Sequence, residues 1–192
     1  MKNTMLKTLA KEILLYSEQP LAKVRFAKVI YFVFKSLVIH KKYKVTDLAF
    51  IRMPLGPVPY DFMNLSEDSD FGVEESAVGL MYNRQSYYLK NKTQFKESSN
   101  ADVIKAVLSK LSSFSTSSLV EYSHLDPSWI NNVNGANYYI NSDDLKQSLP
   151  KSGRPLDLII DNQLLQARLL SGAENDAVVD STNLEYPEYI DA

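Results

Sequence analysis

The chain has two histidines, His40 and His124, and neither has a partner at HExxH or HxH spacing. A lone histidine more often packs or caps than catalyses, so neither is read as an acid–base group. There is no cysteine, which excludes disulfides, thiolate metal sites and a thiol nucleophile. The serines form no GxSxG elbow, and no Walker or GxGxxG phosphate loop is present. The carboxylates come nearer to a site. Glu67, Asp68, Asp70, Glu74 and Glu75 fall in one stretch without a base. Asp68, Asp70, Gly72 and Glu74 loosely imitate a calcium loop, but the spacing and length are wrong. That stretch reads as a solvated acidic loop. The adjacent pairs Glu74–Glu75 and Asp143–Asp144 would point in different directions on a helix, so neither reads as a shared acid–base site. Twelve tyrosines could stack on bases, yet most occupy positions suited to a core or an interface. No catalytic residue, cofactor or metal is expected. On its residues alone the chain reads as a binding protein before an enzyme.

The elements that would position any such surface begin with an asymmetry of charge. Residues 1–52 hold eleven Lys/Arg against three Asp/Glu, and the rest hold ten against twenty, which together give the net −2. A dipolar chain of this kind can meet a charged partner with either end. Composition is that of an ordinary globular protein, with 45% hydrophobic and 23% charged residues. No apolar run reaches the roughly 18 residues of a membrane span. The start leads straight into an amphipathic pattern, so neither a membrane nor a signal peptide is expected. The expected location is the cytoplasm.

Met5–Leu6, Leu9–Ala10 and Ile13–Leu14 recur at helical spacing, and Gln19–Pro20 ends that helix. A second helix, from Leu21 to about Lys42, is apolar nearly all round between Val29 and Ile39 and should be central. Lys41, Lys42 and Lys44 cluster at its end, where cations suit the helix dipole. Residues 50–62 follow, with three prolines and a glycine. Pro54 and Gly56 fit positions two and four of a type I turn, and Pro59 with Asp61 suits a helix start. This stretch reads as a stiff connector without chemistry of its own. Gly79–Tyr82 and Ser86–Leu89 read as one hairpin closed by Asn83–Gln85. Further helices are expected from Ser99 with a capping box to Asp102, from about Leu119, and from Asp126–Pro127. Trp129 reads as a core anchor. A short helix capped by Ser142 and a last one across Leu156–Leu170 follow. The fold class expected is mainly α: a compact helical domain over 1–172 with one small β-hairpin. The acidic tail 173–192 should be mobile unless bound.

Three segments, taken in order, resemble the Panacea-domain family of SocA-like and GepA-like phage-associated proteins. The buried helix with Leu21, Val24, Ala27 and Val29–Phe32, including Tyr31, is similar to the family's LxKLLYF segment. Phe50–Pro59, with Met53, Pro54, Gly56, Pro57, Val58 and Pro59, is similar to a segment ending in GPV. Leu119–Trp129 is similar to a segment with the histidine and tryptophan that stand here as His124 and Trp129. The chain departs from the family at Ala27–Ile30, where a lysine and a leucine pair are common. The resemblance implies an antitoxin of a bacterial or prophage toxin–antitoxin pair. Its partner would be a cognate protein toxin, and some members deliver that toxin to a protease such as a ClpXP-type machine. It also implies a mostly helical fold and no established enzymatic activity.

Partner-contacting residues cannot be carried over. The acidic residues Glu67, Asp68, Asp70, Glu74 and Glu75 are therefore assigned to partner contact on charge and exposure alone. The alternative is a winged-helix-like DNA-binding regulator, with the basic N-terminal third on phosphate and the 79–89 hairpin as wing. Arg84 and Lys90 are too few for a convincing wing, so nucleic acid is not the expected partner. A hydrolase or transferase would need a pocket joining His124 to carboxylates.

Overall fold

The computed structural model describes residues 4–78 and 82–147. Its centre is helix α2 (Lys23–Ile39), preceded by α1 (Thr4–Tyr16) and a two-residue strand β1 (Leu21–Ala22). The apolar run predicted to be central is so: every residue from Val29 to Leu37 is buried. The buried set also includes Lys28, Lys35 and Ser36, which a wholly apolar reading does not anticipate. One face of α1 covers α2 with Leu6, Leu9, Ala10, Ile13 and Leu14, which follow the helical period.

The sequence expectation of a mainly α fold with one small hairpin is wrong. The protein is a mixed fold with two three-stranded antiparallel sheets, ordered β1-β5-β4 and β3-β2-β6. The first error lies in residues 50–62. Phe50–Met53 and Gly56–Pro59 are strands β2 and β3, paired Phe50 with Pro59 and Met53 with Gly56. Pro54 does stand second and Gly56 fourth in the connecting turn. Gly56 has φ +92°, in the left-handed region that favours glycine.

Pro59 does not start a helix but ends β3. Prolines fit there because β3 is an edge strand. The Tyr60 N–H donates to Ala49 O at 2.9 Å. Antiparallel alternation then gives Val58 and Gly56 the bonding positions, while Pro57 and Pro59 fall where no donor is needed. A 3-10 turn follows at Phe62–Glu67, entered through Asp61 at φ 65°.

The second error is the hairpin. Its strands are β4 (Phe71–Val78) and β5 (Tyr82–Leu89), so β5 runs straight through the predicted loop at Asn83–Gln85. The acidic run is correspondingly not one loop. It starts at the end of the 3-10 turn with Glu67, passes through a turn holding Asp68 and Asp70, and continues into β4 with Glu74 and Glu75. Polar residues run consecutively in both strands, Glu74–Ser76 and Asn83–Ser86, so hydropathy gives little warning that this is paired backbone.

Helices α3 (Ala101–Leu111), α4 (Thr116–His124) and α5 (Pro127–Ile130) complete the body. α3 starts from Asn100 rather than Ser99, without a side-chain cap. Glu12 of α1 instead accepts from Ser98 Oγ (2.6 Å) and Asn100 Nδ2 (3.2 Å), fixing that helix start from outside. Asp126 caps α5 as expected, accepting from the Ser128 N–H at 2.9 Å. Strand β6 (Asn137–Tyr138) then pairs with β2, and α6 (Ser142–Gln147) follows. The helix expected across 156–170 and the acidic tail lie outside the described residues. Among the described residues no helix is long and apolar enough to cross a membrane.

Candidate functional site

The residues singled out by their motifs converge where α2, the β2–β3 hairpin, α4 and α5 meet. Lys28 is wholly buried on α2 and donates from Nζ to Pro57 O at 2.9 Å. Burial lowers its pKa to about 7, because the charged ammonium has left water for little compensation. Gly56 lies against it. A Cβ there would stand 2.2 Å from Ser123 Oγ and 2.9 Å from Lys28 Cε, so α4 and α2 both close on the hairpin at this glycine. Ser123 Oγ is held in place by donating to Val120 O at 2.7 Å.

Two helical turns along α2, Lys35 forms a buried ion pair with Asp126. Asp126 thus joins two tasks, closing α5 at its N-terminus and neutralising a lysine of the central helix. Tyr31 lies in the same region. Burial, then Asp126 and Tyr138, raise its hydroxyl pKa well above the usual value. Burial and Asp126 likewise raise Tyr138, against smaller opposing effects of Tyr31 and Arg52. These phenols stay protonated at any ordinary pH.

The cluster reaches the surface through a three-layer stack. The His124 and Trp129 rings lie 4.3 Å apart and nearly parallel, at 22°. The Arg52 guanidinium sits 3.9 Å from the Trp129 ring centre. Trp129 Nε1 donates to Met53 O (3.1 Å), and Arg52 Nε donates back to Trp129 O (3.1 Å). Trp129 therefore clamps α5 to β2 and is only part-buried, a rim residue as much as the predicted core anchor.

Each motif residue now has a place. Met53, Gly56, Pro57 and Val58 are buried in the hairpin, Pro54 is in its exposed turn, and Pro59 closes β3. Tyr31 is in the core, and His124 and Trp129 form the stack. The structure does not bring His124 to a carboxylate cluster: its ring is stacked on Trp129, and the nearby Asp126 is engaged by Lys35. Among the described residues no group of three or more metal-ligating side chains exists.

The acidic residues assigned to partner contact form no single face. Asp68 accepts from Lys7 at 2.8 Å and lies 3.5 Å from Lys11, while Asp70 pairs with Lys11 at 2.6 Å. The Lys7 hydrogen bond leads in holding Asp68 down at about pH 2, against some burial. Both carboxylates thus tie α1 to the segment before β4. Glu74 and Glu75 are exposed on β4, opposite Ser86 and Gln85, and Gln85 Nε2 donates to Glu75 Oε1 at 3.0 Å. This acidic ribbon is the proposed wing of the DNA-binding alternative, and its charge opposes phosphate. Glu67 ends the 3-10 turn.

Sequence reasoning missed Lys28, Lys35, Arg52 and Ser123 as parts of this cluster, and saw Asp126 only as a cap. A usable signal was present. Two lysines seven apart inside an otherwise apolar helix must share a face and must find partners.

Compared with known families, residues 26–130 match the family described as antitoxin SocA-like, Panacea domain. That span is more than half of the chain and holds the hairpin, His124 and Trp129. No curated protein and no solved structure gives a match.

Proposed function

Because this chain belongs to the SocA-like, Panacea-domain antitoxin family, we propose that it neutralises a protein toxin made from a neighbouring gene by binding it directly. The pair would be of bacterial or prophage origin. The observation that carries this reading is the family match over 26–130, together with what the matched motif residues do. Gly56 and Pro57 close on Lys28 and Ser123, Tyr31 packs on Phe50, and His124 stacks on Trp129, which is tied to Met53. Residues spent this way hold a surface in shape, which is what a protein that acts by docking requires. Handing the bound toxin to a ClpXP-type protease is a further step that the same docking would permit.

The test is co-expression with each adjacent reading frame. One neighbour should arrest growth alone and be harmless beside this chain. A neighbour that is harmless alone, or that stays toxic beside this chain, removes the reading.

A further inference from the structure

The outer rim of the Trp129 stack has the composition of a docking site. Ile130 and Val133 are exposed to 54% and 74%, among the few large apolar side chains of the described residues that face solvent. Ile130 directly follows Trp129, Val133 opens the turn whose backbone bonds to Arg52, and that turn is fixed rather than loose. The Ala136 N–H donates to Val133 O (3.1 Å), Gly135 N–H to Arg52 O (2.7 Å), and Arg52 N–H to Ala136 O (3.0 Å). Arg52 itself is pinned flat on Trp129, with Nε on Trp129 O and Nη1 at 3.4 Å from Asn134 Oδ1.

A guanidinium has five N–H donors, and this one keeps its outer end unused in that arrangement. Among the described residues no carboxylate lies within ion-pair distance of it. The surface therefore pairs an oriented, unneutralised cation with two exposed aliphatic side chains and a part-buried tryptophan. Trp and Arg are the residue types that dominate interface energetics, and a pre-positioned fork matches a carboxylate in two parallel hydrogen bonds.

We propose that Arg52, Trp129, Ile130 and Val133 form the surface that receives the toxin, and that it takes a segment carrying an Asp or Glu carboxylate beside a large apolar side chain. The carboxylate meets the outer edge of Arg52, and the apolar side chain covers Ile130 and Val133. This rests on the antitoxin reading and adds to it the face and its chemistry. The cation is already ordered by Trp129, so little side-chain freedom remains to be lost on binding.

The test uses the full chain and the toxic product of the adjacent reading frame. Val133→Asp and Ile130→Asp place a like charge against the arriving carboxylate at exposed positions where folding should be untouched. Each should weaken binding at least tenfold with the denaturant midpoint unchanged. Wild-type affinity should fall as salt is raised, and Arg52→Gln should flatten that dependence. If Arg52→Gln fails to fold, the two aspartate variants decide alone. Wild-type affinity in both aspartate variants overturns the proposal while leaving the antitoxin reading intact. If Val133→Asp turns a dimer into a monomer and neutralisation is unchanged, the face belongs to a second copy and the proposal also fails. If the wild-type chain itself neither binds nor neutralises that neighbour, the antitoxin reading falls first and this surface with it.

Discussion

Gly56→Ala offers the sharpest test of how the motif region is built. Two costs act at this position. Gly56 has φ +92°, and forcing an L-residue into left-handed backbone costs about 1–2 kcal/mol. The new methyl would also stand 2.2 Å from Ser123 Oγ and 2.9 Å from Lys28 Cε. Those neighbours must shift, and overpacking of this kind costs about 1–3 kcal/mol. Together the loss is about 2–5 kcal/mol, a large share of the roughly 5–15 kcal/mol that holds a domain folded. Urea denaturation followed by circular dichroism would measure it.

The two terms separate in a double-mutant cycle, because Ser123→Ala removes the atom in closest conflict. Gly56→Ala in a Ser123→Ala background should cost at least ~1 kcal/mol less than in the wild type. Additive losses would refute the clash, and a Gly56→Ala protein within about 0.5 kcal/mol of wild type would refute both terms.

Three further outcomes follow from the charged groups. Lys28 has its pKa lowered by burial to about 7, so between pH 7 and its unfolded value the unfolded chain holds more protons there. Stability should therefore rise with pH across that window, by up to ~1.4 kcal/mol per unit. The difference between wild type and Lys28→Met, read from denaturation midpoints at pH 7 and pH 9, should reveal that slope; equal slopes would mean the ammonium is not buried as described. Asp68 is held down at about pH 2, with the Lys7 hydrogen bond as the leading cause. Its contribution is present above its unfolded pKa and is lost as pH falls through 2. Asp68→Asn should cost about 1–2 kcal/mol at pH 7, a shift discounted for partial exposure. The gap to wild type should narrow between pH 4 and pH 2. Asp126→Ala strands Lys35 and removes the α5 cap, and a loss of about 3–5 kcal/mol is expected by thermal or urea unfolding. Lys35→Met in the same chain should recover part of that loss, and no recovery would show that capping alone carries the cost.

Helices were legible in the sequence where one strong period dominates. α1 and α2 show their buried faces in apolar spacing, and Asp126–Pro127 marks the start of α5 by cap chemistry. The sheets were not legible, for two physical reasons. Prolines in Phe50–Phe62 argue against strands only when the strand is central, and sequence does not say that β3 lies at an edge. In β4 and β5, Glu74, Glu75, Asn83, Arg84 and Gln85 make paired backbone look like loop. The motif region was legible as order along the chain but not as a cluster. That Lys35 meets Asp126 depends on where α5 crosses α2, a contact spanning 91 residues that no local pattern encodes. Acidic residues were read as free surface because charge reveals nothing about whether a lysine is opposite. Lys7 and Lys11 are opposite Asp68 and Asp70.

The central claim is that this chain silences a toxin by holding it. Titration of the purified chain against the purified toxic product of the adjacent reading frame tests it most directly. Heat of binding and toxin activity should be read on the same mixtures. Saturable binding at a fixed ratio is predicted, with toxin activity falling in step with occupancy. Neutralisation in cells without any binding between the purified proteins would contradict the claim, and so would binding that leaves the toxin active.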